Sequence, residues 1–276
     1  MRQLRLTSSG RAFPRRNGFS LLELLIVVSV IVILAALLLS VLSSAKLRAQ
    51  QMQCVNNVRQ LGTIGFIYSN DNGRHPAYLD PSFPGGGAWM GTLNVTAREK
   101  GIGICPTAPL RDPVPDAGNG QGTADRAWVR WTSDERTKFF GSYGFNSWFY
   151  ANRTDDDPRR FSGEASIQKP PTTPVFADEN WVDGPPAETD PPFHDLYAGS
   201  PLTMRTDNMG RYTIARHGGL RPASAPRRLS PGARMPGAVD IVFADGHAQL
   251  VRLEQLWTFT WHVDWQTPAI RPQNPR

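Results

Sequence analysis

An apolar run extends without a charge from Leu24 to Leu42, behind a short segment rich in arginine. The run is 19 residues long. As a helix it rises about 28 Å at ~1.5 Å per residue, close to the hydrocarbon thickness of a bilayer. Past Leu42 the pattern changes period instead of ending. Cys54, Val58, Leu61, Gly65 and Tyr68 recur at spacings of four, three, four and three, one apolar stripe on an otherwise polar helix. Gly62 and Gly65 each weaken a helix interior by about 1 kcal/mol relative to alanine, which points to close packing or to the approach of the helix end. Asn70-Asp71-Asn72-Gly73 is a turn signal. The pattern therefore predicts one helix of roughly 50 residues, its first half apolar all round and its second half amphipathic.

Further on, the period shortens to two. Val239, Ile241 and Phe243 alternate within Ala238–Ala244, Asp245-Gly246 supplies a turn, and Ala248, Leu250 and Arg252 alternate in the return segment His247–Leu253. This is the clearest hairpin in the chain. Gly141–Asn146 and Pro174–Asp178 read as short strand or loop edges, and Leu253–Trp265 as an aromatic run suited to an edge strand or a helix. Proline- and glycine-rich stretches at 112–125, 154–160, 185–192 and 221–237 read as irregular loops.

Charge changes the picture at the N-terminus. The chain of 276 residues has a formal charge of +6, but Arg2, Arg5, Arg11, Arg15 and Arg16 supply five of those charges, and no acid precedes Glu23. If residues 1–18 are removed the remainder is close to neutral, without the lasting basic footprint that nucleic-acid binding requires. The arginines before the apolar run instead orient it, with the N-terminus cytoplasmic and the C-terminal bulk exported. Glu23 stands at the mouth of the run, where a lone carboxylate is expensive and usually functional. A secretory signal has a shorter apolar region and a small-x-small cleavage site. A plain anchor has no use for Glu23.

The junction Arg15, Arg16, Gly18, Phe19, Ser20, Leu21, Leu22, Glu23, followed by the apolar run, resembles the type IV prepilin signal shared by type IV pilins and type II secretion pseudopilins. The resemblance implies a peptidase cut between Gly18 and Phe19, N-methylation of Phe19, and a retained Glu23 that pairs with the N-terminal amine of a neighbouring subunit during assembly. It also implies an α+β pilin-like fold, a long N-terminal helix packed on a small antiparallel sheet with long loops. The segment Cys54–Gly62 with Tyr68, Asp71, Asn72 and Gly73 resembles the post-helix signature of one pilin-like subgroup. Its C-terminal mark is a histidine about nine residues before Asp-Gly. Here His217 and Asp245-Gly246 look like the two halves, but they stand 28 residues apart, so no role follows for them.

The two cysteines, Cys54 and Cys105, allow one intramolecular pairing. A bridge between them is expected in an oxidising exported compartment; two buried free thiols are the alternative. Asp178, Glu179, His217, Asp245 and His247 carry ligand atoms without any recognisable ligand spacing. Some type II secretion major pseudopilins bind calcium through a C-terminal loop, so the resemblance leaves calcium open as a cofactor and no other is implied. No nucleophile elbow, phosphate loop or zinc-protease motif is present, so catalysis is not expected.

These readings divide the chain into a leader (1–18), a transmembrane and assembly segment (19–45) and a periplasmic pilin-like domain (46–276). The expected function is a structural pseudopilin, single-pass in the inner membrane and polymerising into a periplasmic filament. Its partners would be the prepilin peptidase, other pseudopilins or pilins, further copies of itself, the inner-membrane assembly platform and membrane lipid. A type IV pilin for adhesion, motility or DNA uptake, and a membrane-tethered binding module that does not polymerise, are the rival expectations.

Overall fold

A computed structural model of the chain describes residues 19–78, 87–93, 101–112, 120–132, 138–151, 156–204 and 208–273. Gly18 and the rest of the expected leader lie outside the described residues. The chain divides after Lys46 into two compact units, and helix α1, Leu21–Asn72, contributes to both.

In the first unit the apolar side chains of α1 are exposed, from Leu21 to Leu42. It is long and apolar enough to cross a membrane, and none of its most apolar stretch is buried within the protein. Such a surface is stable only against lipid or against other helices.

In the second unit the remainder of α1 turns Cys54, Asn57, Val58, Leu61, Gly62 and Gly65 inward. This is the stripe expected from the period, widened by Asn57 and Gly62. Glycine at 62 has a packing reason. A Cβ there would stand 2.6 Å from Cγ2 of Val242, a side chain that is itself fully buried.

Val242 belongs to a five-stranded sheet. Its strands are β3 (Tyr143–Asn146), β4 (Pro174–Asp178), β5 (Asp183–Gly184), β6 (Ala238–Phe243) and β7 (Ala248–Arg252). The spatial order is β5-β3-β4-β6-β7. All neighbours are antiparallel except β3 and β5, which run parallel. The sheet is therefore largely antiparallel, as expected, with one parallel pair at its β5 edge. A separate two-stranded ribbon joins β1 (Trp128–Trp131) to β2 (Lys138–Gly141). Short helices α2 (Ala88–Thr92) and α3 (Met209–Tyr212) complete the regular elements beside several 3₁₀ turns.

Both faces of the sheet are covered. Cys54, Val58 and Leu61 of α1 pack with Trp89, Phe145, Phe176 and Val242 on one side. Ala177, Val239, Ile241 and Phe243 pack with Tyr212, Ile214, Leu256 and Trp261 on the other. Coverage of both faces explains why every residue of β4 and β6 is buried, the aspartates Asp178 and Asp240 included. Pro174–Asp178 is thus the central strand, not an edge. Proline occupies its first position, where the missing N–H does least harm.

The hairpin β6–β7 forms with Val239 opposite Val251 and Val242 opposite Ala248. Its turn holds three residues, Ala244-Asp245-Gly246, rather than two. The Gly246 N–H donates to the Phe243 carbonyl at 2.9 Å, and Gly246 adopts φ +86°, the left-handed position such loops reserve for glycine. β7 is an edge strand, and its buried residue is Val251 rather than Leu250. The aromatic run is a 3₁₀ helix, Leu253–Thr258, which buries Trp257, followed by irregular chain that buries Trp261 against the same face of the sheet.

Candidate functional site

Two places in the molecule concentrate chemistry. The first is the start of α1. Ser20 is the residue before the helix, and its Oγ accepts the Glu23 N–H at 3.1 Å. In return, Glu23 Oε2 accepts the Ser20 N–H at 2.9 Å. This is a reciprocal capping box, which satisfies two orphan donors at the helix end. The pattern Ser-x-x-Glu was visible in the sequence, and reasoning from the isolated charge alone overlooked it. The carboxylate at the mouth of the apolar run is therefore held by its own backbone, one turn from the Phe19 nitrogen. Phe19 is exposed.

The second place is a buried polar cluster at the centre of the globular unit. Asp178 ends β4, Asp240 is the third residue of β6, and His217 pairs its backbone with Ala238 at the start of β6. Asp178, Asp240 and Arg216 are each 0% exposed. Arg216 Nη1 donates to Asp178 Oδ1 at 2.7 Å and also to the Ser142 carbonyl. Its other donors reach the carbonyls of Thr123 at 3.0 Å and Ala124 at 3.3 Å. Asp178 Oδ2 accepts the Asp240 N–H at 2.7 Å. His217 Nε2 lies 3.1 Å from Asp178 Oδ2, 3.2 Å from Asp240 Oδ2 and 3.6 Å from Cys105 Sγ. Cys105 is itself joined to Cys54 of α1, with the two Cα atoms 5.0 Å apart.

The ionisation of the cluster follows from this geometry. One hydrogen on His217 Nε2 can serve one carboxylate at a time, and neither Asp240 oxygen accepts a hydrogen bond. Burial pushes the Asp240 carboxyl up to about 8, with the negative Asp178 adding to it. Asp178 is also buried, but Arg216 and His217 outweigh that and hold it below the usual carboxylate range. Burial lowers His217, yet Asp178 and Asp240 together raise it above an ordinary histidine. One proton shared by His217 and Asp240, beside the Arg216–Asp178 pair, leaves the cluster neutral, the state a buried group requires.

Of the five candidate ligands, the structure brings Asp178 and His217 together and adds Asp240. Glu179 points elsewhere. It lies near Tyr212, and burial raises its carboxyl well above the ordinary value despite the Arg211 charge. Asp245 and His247 bond to each other at 2.5 Å at the hairpin tip. His217 sits at the opposite end of β6, about 20 Å away at ~3.3 Å per residue. The two halves of the expected His…Asp-Gly motif therefore do not meet. Sequence reasoning missed Arg216 and Asp240, although an aspartate inside Ala-Val-Asp-Ile-Val-Phe was the available signal.

Asp178, His217 and Asp240 are close enough to offer one atom each to a metal. The donor set does not suit calcium, which takes six to eight oxygens and no imidazole. Asp178 is already engaged by a guanidinium and a backbone N–H. Cys54 and Cys105 are a disulfide and supply no thiolate. The arrangement suits a shared proton.

A pH dependence follows. The folded cluster keeps a proton that unfolded Asp240, near 3.9, has already lost. Asp240 and His217 are both raised, so the stability they contribute is present at low pH and is lost as pH climbs toward and past about 8. The melting temperature of the globular unit should fall from pH 6 to pH 9, at up to roughly 1.4 kcal/mol per pH unit per extra proton bound. Asp240→Asn should flatten that slope. A melting temperature that rises over this range would show that the proton is not held there.

Comparison with known proteins adds the N-terminal context. Residues 13–39 match the model of the prokaryotic N-terminal methylation motif. No curated protein and no solved structure matches the chain. The motif, joined to an apolar helix long enough to cross a membrane and to an α+β domain, supports a pilin-like protein anchored through that helix. The motif implies processing by a prepilin peptidase and assembly with other pilin-like subunits.

Proposed function

We propose that the chain is a structural pseudopilin of a type II secretion-like system, with residues 1–18 as leader, 19–45 as the transmembrane and assembly segment, and 46–276 as a periplasmic domain. The peptidase cuts between Gly18 and Phe19, and Phe19 is then methylated. The protein catalyses no reaction of its own. The observation that carries this reading is the methylation motif at residues 13–39, continuing directly into a helix whose apolar side chains stay exposed from Leu21 to Leu42.

Cleavage liberates an amine at Phe19, next to the capping box of Ser20 and Glu23. In lipid the carboxylate has only the local donors of its own helix end. In a filament core a neighbour's amine adds an opposite charge, fixes the register of stacking and relieves the burial of both groups. The exposed stretch Leu24–Leu42 exchanges lipid for neighbouring helices, and the heterologous contact propagates as a helical fibre. The buried Cys54–Cys105 bridge fits an oxidising compartment.

Two measurements test the reading. The processed protein should begin at a methylated Phe19 by N-terminal mass analysis. Glu23→Leu should still be cleaved and inserted, yet its crosslinking between neighbouring N-terminal helices should drop by at least tenfold, for the loss of roughly 1.4 kcal/mol or more of pairing. Wild-type assembly by Glu23→Leu would sink the mechanism and favour a tethered module. A type IV pilin is distinguished by sheared surface fibres that contain the protein.

A further inference from the structure

The globular unit carries an open cleft of about 760 Å³, lined by three arginines from separate elements. Arg48 comes from α1, Arg252 from the end of β7, and Arg234 from the loop between His217 and β6. All three side chains are exposed. Among the described residues, none of these guanidinium groups has a carboxylate within ion-pair distance. The one acid in the cleft, Glu254, is already committed. Its Oε2 lies 3.1 Å from Arg271 Nε, and its Oε1 accepts the Met235 N–H at 2.5 Å. From Asn208 to Val239 the chain contains no Asp or Glu. Three guanidinium groups without a paired carboxylate line one concave surface, and their forked donors match phosphate oxygens. Leu220 and Leu250 give the same cleft an apolar floor.

The position of Arg48 selects the occupant. It stands six residues beyond Leu42, the end of the apolar run. Six residues span at most about 20 Å of chain however they are arranged, which keeps Arg48 within reach of the headgroup layer when the run fills the hydrocarbon. We propose that this cleft docks the phosphate of an anionic phospholipid headgroup and so holds the globular unit on the membrane surface before assembly. The inference rests on the membrane-anchored reading and adds to it a lipid class and the residues that recognise it.

The test uses the full processed chain in nanodiscs of phosphatidylglycerol or of phosphatidylcholine, followed by amide hydrogen exchange. Co-elution with the disc tests the anchor by itself. For chain that co-elutes, segments 218–237 and 248–252 should exchange roughly tenfold more slowly in phosphatidylglycerol. The protection should vanish in high salt and in Arg48→Gln/Arg234→Gln/Arg252→Gln. These residues are exposed, so the variant should retain its near-UV circular dichroism. Equal exchange in the two lipids overturns the proposal while leaving the anchor intact. Equivalent protection from inorganic phosphate in phosphatidylcholine discs also overturns it, because the cleft is then a soluble-anion site. A chain that fails to co-elute with either disc removes the anchor and the proposal together.

Discussion

Replacing Arg216 with methionine should destabilise the globular unit by about 3–5 kcal/mol, the usual consequence of deleting one partner of a buried charge pair. The side chain is wholly enclosed, and its donors meet Asp178 Oδ1 together with the carbonyls of Ser142, Thr123 and Ala124. Methionine fills much of the volume but leaves the Ala124 carbonyl without its guanidinium donor, and it takes one donor from the Ser142 and Thr123 carbonyls, which keep the N–H groups of Glu179 and Arg126. It also leaves Asp178 as a buried anion supported only by His217 and the Asp240 N–H. Native domains are stable by about 5–15 kcal/mol, so a loss of this size brings the unit near its unfolding midpoint in mild denaturant. Lysine should rescue little. Its compact ammonium has three donors and cannot span acceptors arrayed around a planar fork. Urea unfolding monitored by tryptophan fluorescence measures the difference. A loss below about 1 kcal/mol for Arg216→Met would mean that water or a rearranged His217 replaces the guanidinium without difficulty.

The second large effect concerns the bridge. Converting both Cys54 and Cys105 to serine should cost roughly 4 kcal/mol, from releasing a closed loop in the unfolded chain. The sequence separation is 51 residues. The bridge also holds the amphipathic part of α1 against segment 101–112, where Asn57 Nδ2 donates to the Ile104 carbonyl at 3.0 Å. The Tyr143 hydroxyl donates to the Cys54 carbonyl at 3.1 Å, which ties the same point to β3. Two buried serine hydroxyls would add their own desolvation. The double variant should show a lower urea midpoint than the oxidised wild type, and reduction of the wild type should reproduce most of the shift. If the reduced and oxidised proteins unfold at the same midpoint, the bridge contributes nothing to the folded state.

What could be read from the sequence was local. The apolar run, the change to a four-three stripe and the Asn-Asp-Asn-Gly stop placed α1 because helical burial repeats within a few residues. Alternation around Asp245-Gly246 placed the β6–β7 hairpin for the same reason. The prepilin junction was legible because a peptidase must read it from the chain itself. The capping box of Ser20 and Glu23 belonged to this class as well.

The central cluster did not. Arg216 and Asp178 are 38 residues apart, and the Asp240 N–H and Asp178 are 62 apart. No spacing announces them, because register between β4 and β6 creates the meeting. His217 and Asp245, motif halves to which the sequence assigned no role, lie near opposite ends of β6, because His217 bridges to Ala238 and Asp245 follows Phe243. Asp178, the last residue of β4, joined the cluster, while Glu179, just past the strand end, left it. The membrane helix and its cleavage signal were thus written in the order of the residues. Which charges share a proton in the interior was decided only when the strands paired, since burial without solvent makes each ionisation depend on whatever side chain the fold brings within about 3 Å.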